Sequence, residues 1–403
     1  MSRKIMLIGV GWEQLPLVYK AKEKGFAVVA TTSWSGEIPA DVIYRVDSRD
    51  LDELEKIFQK EKPDAVLADE CDYSMYAVAY LTEKYHLPGP SLKALTITNN
   101  KFLQRQCGTS CGILQPEYTL CWSWEQARQF AAERGYPIVI KPVDNRGSIG
   151  VCVVHSDQEL RESWFEAVKN SHSRLVIAEE YINGSVVNVD GYCHKGGFTF
   201  LSAGTREVYS DRTTVAKALY YPGLLTKEQF AQLEENSAKI VAEIGISYGF
   251  IHIEYLLERK SGKFWLVEIA NRGGGVTTSN TILPCIKSVD LMDFYIDHAL
   301  GAEKTLKIDA ADRKVLMYFI EPHGSRNAVD VIGEAKEHLL AFHMNQYSGS
   351  ADGPIKNATG RVGVAIFEGT DFEEMKTRAK NLEHEIGYSQ EECTFYKSAG
   401  DHI

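Results

Sequence analysis

Ile251-His252-Ile253-Glu254-Tyr255-Leu256-Leu257 and Lys263-Phe264-Trp265-Leu266-Val267-Glu268-Ile269 are two strand-like runs, and Lys260-Ser261-Gly262 between them makes a good hairpin loop. A turn centred on Ser261 places Glu254 opposite Glu268. Two carboxylates then face each other inside otherwise apolar runs. Like charges directly opposite are destabilising, and burial makes them more so. A divalent cation resolves the conflict. A few carboxylates, with the remaining oxygens from phosphates, describe Mg²⁺ at a nucleotide site. A protonated Glu, or a register that leaves both side chains in solvent, is the bland alternative. Just after this pair, Arg272-Gly273-Gly274-Gly275 makes a flexible, anion-friendly turn, and Arg272 can hold a transferring phosphoryl group through bidentate contacts.

Working back toward the N-terminus, Pro137-Ile138-Val139-Ile140-Lys141-Pro142 is a strand, Asp144 to Gly150 a small glycine loop, and Val151-Cys152-Val153-Val154 a second strand. No helix pattern starts at Gly150 and no Lys-Ser/Thr pair follows it, so this is not a Walker A loop. Gly147 and Gly150 still permit close backbone approach, and Ser148 and the loop N–H groups can donate to anionic oxygens. Lys141 projects from the face opposite Ile138 and Ile140, which suits a phosphate or a solvated surface lysine equally. Leu175 to Ala178 is an apolar strand that enters the mixed linker Glu179-Glu180-Tyr181-Ile182-Asn183-Gly184.

The first 95 residues alternate strand and helix patterns and imply a doubly wound parallel sheet. Leu51 to Lys60 reads as a helix with Asp50 as N-cap, and Tyr73 to Tyr85 as another. Gly9-Val10-Gly11 invites a dinucleotide reading, but position 14 is Gln, so the third glycine of that fingerprint is missing. Residues 96–130 read as a helical linker, 131–190 as strand pairs forming a lid subdomain, 191–310 as a catalytic subdomain, and 311–403 as a smaller α+β unit.

Composition narrows the function. With 44 Lys plus Arg against 55 Asp plus Glu, the net charge of −11 argues against nucleic acid or an anionic membrane as partner. The eight scattered cysteines include no C-x-x-C pair and read as reduced thiols, so the cytoplasm is the expected compartment. Cys107 and Cys111, four apart, have no His or Cys neighbours with which to bind a metal.

Taken in order, these pieces resemble the ATP-grasp superfamily over most of the chain. The order is a nucleotide-fold-like domain, Asn100-Lys101-Phe102, the V-I-K-P strand with its glycine loop, E-E-Y-I-x-G, H-x-E, and E-I-x-x-R-G-G. The resemblance implies an α/β fold with an N-terminal parallel sheet followed by an ATP-clasping part with a lid. It implies that Lys101 and Lys141 contact ATP phosphates and that Gly147, Ser148, Ile149 and Gly150 close over them. Glu179 and Glu180 with the backbone of Tyr181 and Ile182 would read adenine, Glu254 and Glu268 would bind Mg²⁺ or in its place Mn²⁺, and Arg272 would hold the transferred phosphate. Two positions depart from the pattern. Val186 stands where many members carry a ribose-binding Glu, with Asn188 and Asp190 as candidate substitutes. Ala270 stands where many carry a metal-binding Asn. The combination is similar to the L-amino acid ligase branch of carboxylate–amine ligases. The substrates implied are a small carboxylate and an amine, joined through an acyl phosphate, and a homodimer is implied as the assembly. Arg206, Arg272, Gly273 and Gly274 are candidate substrate contacts, as are Glu70, Asp72 and Tyr73 at the N-terminal strand ends. His252 is a candidate base for the amine, a partner to the metal ligands, or a satisfied structural histidine. A relative with a different acceptor, or a nucleotide-binding protein without catalysis, remains as an alternative.

Overall fold

The computed structural model describes residues 3–209, 215–308, 312–346, 361–389 and 391–397. The chain opens with β1 (Lys4–Leu7), α1 (Leu15–Glu23), β2 (Ala27–Thr32), β3 (Val42–Arg45), α2 (Leu51–Glu61), β4 (Ala65–Leu67) and α3 (Asp72–Lys84). The four strands form a parallel sheet in the order β3-β2-β1-β4. Their central members are near-continuous apolar runs because helices cover both faces. The Asp50 carboxylate accepts from the Glu53 N–H and caps α2 as its sequence suggests.

Helices α4 (Leu92–Thr98) and α5 (Lys101–Ser110) lead out of this unit. Then come β5 (Tyr118–Cys121), α6 (Trp124–Arg134), β6 (Ile138–Pro142), β7 (Cys152–Val154), α7 (Asp157–Lys169) and β8 (Val176–Glu180). These make a second sheet, β5-β8-β6-β7, backed by α6 and α7 around a core of Phe130, Leu160 and Trp164. The expectation of helices throughout 96–130 is corrected here. Tyr118–Cys121 pairs antiparallel with β8, and four residues are too few for alternation to betray a strand.

The remainder comprises β9 (Gly184–His194), β10 (Gly197–Val208), β11 (Ala216–Tyr221), α8 (Lys227–Ile244), β12 (Tyr248–Glu258), β13 (Phe264–Ala270), a helical turn at Thr278–Ile282, α9 (Leu283–Lys287), α10 (Leu291–Ala299), β14 (Lys314–Ile320), α11 (Ala328–Ala335), β15 (Leu339–Met344), β16 (Gly363–Gly369), α12 (Phe372–Glu385) and β17 (Cys393–Tyr396). Their strands form one antiparallel sheet, β13-β12-β9-β10-β11-β14-β16-β15-β17. Two expected boundaries therefore move. Position 190 falls inside β9, and the strands after 311 extend the same sheet rather than building a separate one. Cross-strand pairing between β11 and β14 is long-range, and composition carries no trace of it.

α10 packs the first unit onto the large sheet. Tyr192, Phe250, Phe294 and Tyr295 share a core with Leu7, Val28 and Leu67, and the Tyr295 hydroxyl donates to the Ala68 carbonyl at 2.8 Å. All eight cysteines are free thiols, and Cys107 and Cys111 pack against a core cluster. No helix among the described residues is long and apolar enough to cross a membrane.

Candidate active site

A cleft of about 600 Å³ opens where the three layers meet. Its floor is the large sheet. One row across the strands reads Glu268, Glu254, Asn188 and Gly204, each opposite the next. Arg206, Leu219 and Met317 form the neighbouring row. The ends of β1 and β4 supply Glu13 and Glu70, and the loop after β6 covers the opening with Arg146, Gly147, Ser148 and Ile149.

Glu254 does sit directly opposite Glu268. The route to that pairing differs from a simple hairpin. Near the turn Tyr255 faces Leu266 and Leu257 faces Phe264, and an irregularity beside Glu254 leaves Val267 as the extra residue that brings the two glutamates into line. Each carboxylate faces a cationic side chain, and Glu254 has His252 beside it as well, Nε2 at 3.9 Å. Glu254 pairs with Arg206, and Glu268 with Lys101 at 3.0 Å. Burial pushes the Glu254 carboxyl up, but Arg206 and then His252 hold it well below the usual range. The residues fit a hard divalent cation. Two carboxylates line the cleft side by side, and the buried Asn188 Oδ1, opposite Glu254, has no partner. Asn271 does not take the place of the absent ligand at Ala270, because its side-chain amide donates to the Tyr248 and Phe250 carbonyls in the core. Among the described residues no larger group of His, Cys, Asp and Glu could hold a metal.

Lys141 and Glu179 are both buried, and both lie behind the cleft rather than on its wall. Lys141 Nζ is 2.7 Å from the Glu179 carboxylate, and Arg105 grips the same carboxylate through Nε at 2.9 Å and Nη2 at 3.2 Å. Against its burial, Arg105 and Lys141 lower the Glu179 carboxyl to about 2. Burial lowers the Lys141 ammonium and Glu179 opposes that. The expected adenine acceptor is thus already bound to two cations, which ties the lid strand β8 to α5. Arg105 is the residue that sequence reading missed: nothing in α5 announces which acid its guanidinium meets. Glu180 and Tyr181 remain accessible at the linker, and Ile182 is buried. An ammonium has three donors, so Lys141 keeps two beyond its ion pair.

In the covering loop, Gly150 does not line the cleft. It has a φ of +74°, and a Cβ there would lie 2.9 Å from Pro142 and 3.0 Å from Asn170, so only glycine fits. Arg146, also unforeseen, reaches across to Cys71 Sγ at 2.9 Å and lies over the Tyr73 ring. Lys101 Nζ donates to the Asn145 carbonyl at 2.6 Å. Lys101, Tyr73 and Glu268 line a small pocket beside the main cleft.

Arg272 faces the cleft, with Nε donating to Asp72 at 3.0 Å, and Asp72 and Glu70 line the cleft as expected. Gly273 and Gly274 do not. The Gly273 N–H donates to Asp69 at 2.9 Å, and a Cβ on Gly274 would lie 2.9 Å from both Asp190 Oδ1 and His252 Nδ1. The glycine run serves close packing more than anion binding, and Gly275 is its cleft-lining member. His252 Nδ1 is 2.7 Å from Asp190, whose other oxygen accepts from the Tyr221 hydroxyl, so Asp190 is spent and is no ribose ligand. Burial would lower the His252 imidazole, but Asp190 and Glu254 raise it to about 8. At neutral pH it is a cation, which favours a charge-balancing role over that of a base.

Residues 134–280 match the ATP-grasp domain family. The formate-dependent phosphoribosylglycinamide formyltransferase of Ignicoccus hospitalis is 25% identical over 334 residues, covering 78% of this chain and 80% of that one. An L-amino acid ligase from Bacillus licheniformis superposes with a TM-score of 0.79 at 19% identity, over 98% of this chain and 99% of the other. The biotin carboxylase domain of Hydrogenobacter thermophilus 2-oxoglutarate carboxylase, solved as a dimer with MgADP, ADP and bicarbonate, gives a TM-score of 0.74 at 18% identity over 95% and 89%. The matched segment runs from the lid strands through Arg272, so residues 134–280 form an ATP-grasp domain, and the whole chain shares the fold of these solved structures.

Proposed function

We propose that the protein is an ADP-forming carboxylate–amine ligase that joins an amino acid or related carboxylate to an amine. The observation that carries this reading is the direct opposition of Glu254 and Glu268 on the cleft floor, with Lys101, Arg206 and Arg272 around them. ATP is the phosphoryl donor. Mg²⁺, held by Glu254 and Glu268 with Asn188 as a neutral third oxygen, would neutralise charge on the ATP phosphates.

The chemistry has two steps. A substrate carboxylate oxygen bonds to the γ-phosphorus of ATP, the bond to the β–γ bridging oxygen breaks, and ADP leaves. The amine nitrogen then bonds to the acyl carbon, phosphate departs with the C–O electron pair, and the nitrogen loses a proton. The first step is needed because a carboxylate is a poor electrophile. The protein positions the partners and balances charge. Lys101 would meet nucleotide phosphates, Lys141 would add charge from behind with the donors its ion pair leaves free, and Arg272 would meet the transferred group. The loop Gly147-Ser148-Ile149 covers them and keeps water out. Glu180 and the backbone at Tyr181 and Ile182 read the base. Protonated His252 balances Glu254.

The formyltransferase relative, by its name, takes formate and a phosphoribosyl amine, and its 25% identity over most of the chain supports a different small carboxylate or acceptor as the second reading. A homodimer is the proposed assembly. ADP release from Mg-ATP, measured across amino acids and other carboxylates singly and in pairs, tests the proposal. Release that needs two substrates, yields an amide and vanishes in Glu268→Ala is expected. ATP binding without release from any pair would overturn it.

A further inference from the structure

The covering loop belongs to the second sheet, and what holds it down comes from the first unit. Among the described residues every hydrogen bond, ion pair and ring contact between residues 3–95 and residues 113–183 passes through Cys71 or Tyr73, at the N-terminal end of α3. Arg146 of the covering loop donates through Nη1 to Cys71 Sγ at 2.9 Å, and its guanidinium lies 4.6 Å from the centroid of the Tyr73 ring. The Tyr73 hydroxyl shares a hydrogen bond of 2.7 Å with His172 Nε2, and the two rings meet edge to face. Arg49, itself fixed by Asp47 at 2.6 Å, lies 5.6 Å from the same Tyr73 centroid.

Arg146 and His172 sit on two different loops that are tied into one body. One oxygen of the Asp144 carboxylate accepts from the Ser171 hydroxyl at 2.9 Å and the His172 N–H at 3.0 Å, and the other accepts from the Ser173 N–H at 2.7 Å. Asn145 Nδ2 donates to the Asn170 carbonyl at 2.6 Å. Tyr73 therefore holds both loops at once. One hydrogen bond, one cation–π contact and one N–H···S contact are individually weak, so the attachment biases the closed arrangement without locking it. Between Cys71 and Tyr73 stands Asp72, which holds Arg272 at 3.0 Å. Burial pushes the Asp72 carboxyl up, but Arg272, and after it Arg146 and Lys101, hold it below its ordinary value. Lifting the loop takes Arg146 away from this acid, so the loop and the hold on Arg272 meet at the same helix end.

We propose that Tyr73 is a positioning residue, the latch by which the first unit holds the covering loop closed over the nucleotide, gripping it through Arg146 and His172 beside the acid that aims Arg272. Nucleotide release is then governed from α3, outside the sheet that carries the loop. The proposal rests on nucleotide binding in the cleft and is independent of which acceptor is ligated.

The test uses the full chain and two readouts, neither of which needs turnover. Without nucleotide, amide hydrogen exchange is expected to speed up at residues 144–150 and 170–173 in Tyr73→Ala and to stay unchanged through the rest of α3. With Mg²⁺ and a fluorescent non-hydrolysable ATP analogue, dissociation is expected to be about tenfold faster in Tyr73→Ala. Tyr73→Phe keeps the ring under Arg146 and loses only the hydroxyl, so about threefold is expected there. His172→Ala should match Tyr73→Phe, and the double variant should be no faster than either, because both changes remove the same bond. Should Tyr73→Ala not fold, Tyr73→Phe and His172→Ala decide by the same two readouts. Unchanged exchange, unchanged dissociation, effects that multiply in the double variant, or faster exchange throughout α3 would overturn the proposal. If the wild type binds no nucleotide analogue, the ligase reading falls, and the exchange measurement alone keeps or overturns the latch between the two units.

Discussion

The Glu179 carboxylate is 4% exposed and gripped by Arg105 and Lys141, whereas those of Glu254 and Glu268 are 26% and 30% exposed, Glu254 beside Arg206 and His252 and Glu268 beside Lys101. The ingredients are the same and the settings opposite. Arg105 joins three parts of the fold: it starts on α5, grips Glu179 on the lid sheet, and donates to the Val267 carbonyl on the floor. Its partner Lys141 comes from the lid strand β6. This cluster is a joint. The Glu254–Glu268 pair is open to the cleft, and its remaining oxygen lone pairs are available to a ligand. Burial separates an acid that holds the protein together from acids that can do chemistry.

Breaking the open pair is expected to have the largest effect. Glu268→Ala should lower the rate of ADP release by about 10³-fold, roughly 4 kcal/mol of transition-state stabilisation, with a melting temperature near that of wild type. A variant that retained more than a tenth of the rate would remove Glu268 from the chemistry. Breaking the closed cluster should reverse that signature. Arg105→Met leaves Glu179 with Lys141 alone and should cost about 3–5 kcal/mol in denaturant unfolding. Stability within about 1 kcal/mol of wild type would show that the joint is not one.

Gly274→Ala sharpens the comparison from the side of packing. Its Cβ must displace Asp190 and His252, and a loss of about 1–3 kcal/mol is expected, with slower ADP release. Unaltered melting would contradict the close approach. The smallest effect is that of pH. His252 is raised from 6.5 to about 8, so its pairing with Asp190 and Glu254 stabilises the fold fully below about pH 6.5. That contribution, about 1–2 kcal/mol, is lost as the pH rises through 8. Melting temperatures from pH 6 to 9 should fall more steeply for wild type than for His252→Gln. Parallel curves would mean that the histidine titrates normally.

How much of this was legible depends on how local the cause is. The α2 helix and its Asp50 cap, the α3 helix and the β12–β13 hairpin all rest on neighbours in sequence. The opposition of Glu254 and Glu268 was reached from a turn centred on Ser261, but the register near the turn is one residue off and the extra residue Val267, invisible in the sequence, restores the pairing. The Arg105–Glu179–Lys141 cluster was not legible. Its members are brought together by packing α5 against two sheets, and no spacing encodes which acid a buried arginine will meet. Gly273 and Gly274 misled for a similar reason. A glycine run looks like an anion loop, while its use here is to let Asp69, Asp190 and His252 approach the backbone.

By itself the order of short motifs carried the resemblance to ATP-grasp proteins, the parallel N-terminal sheet and the β12–β13 hairpin, since each follows from residue type at short range. Only the tertiary structure decided that the C-terminal strands complete the cleft floor, that Glu179 is gripped by Arg105 and Lys141, and that Arg361 and Arg206 line the cleft with an apolar wall. Those outcomes depend on long-range strand pairing and on which charges burial forces together, and both are settled by the packing of the whole chain.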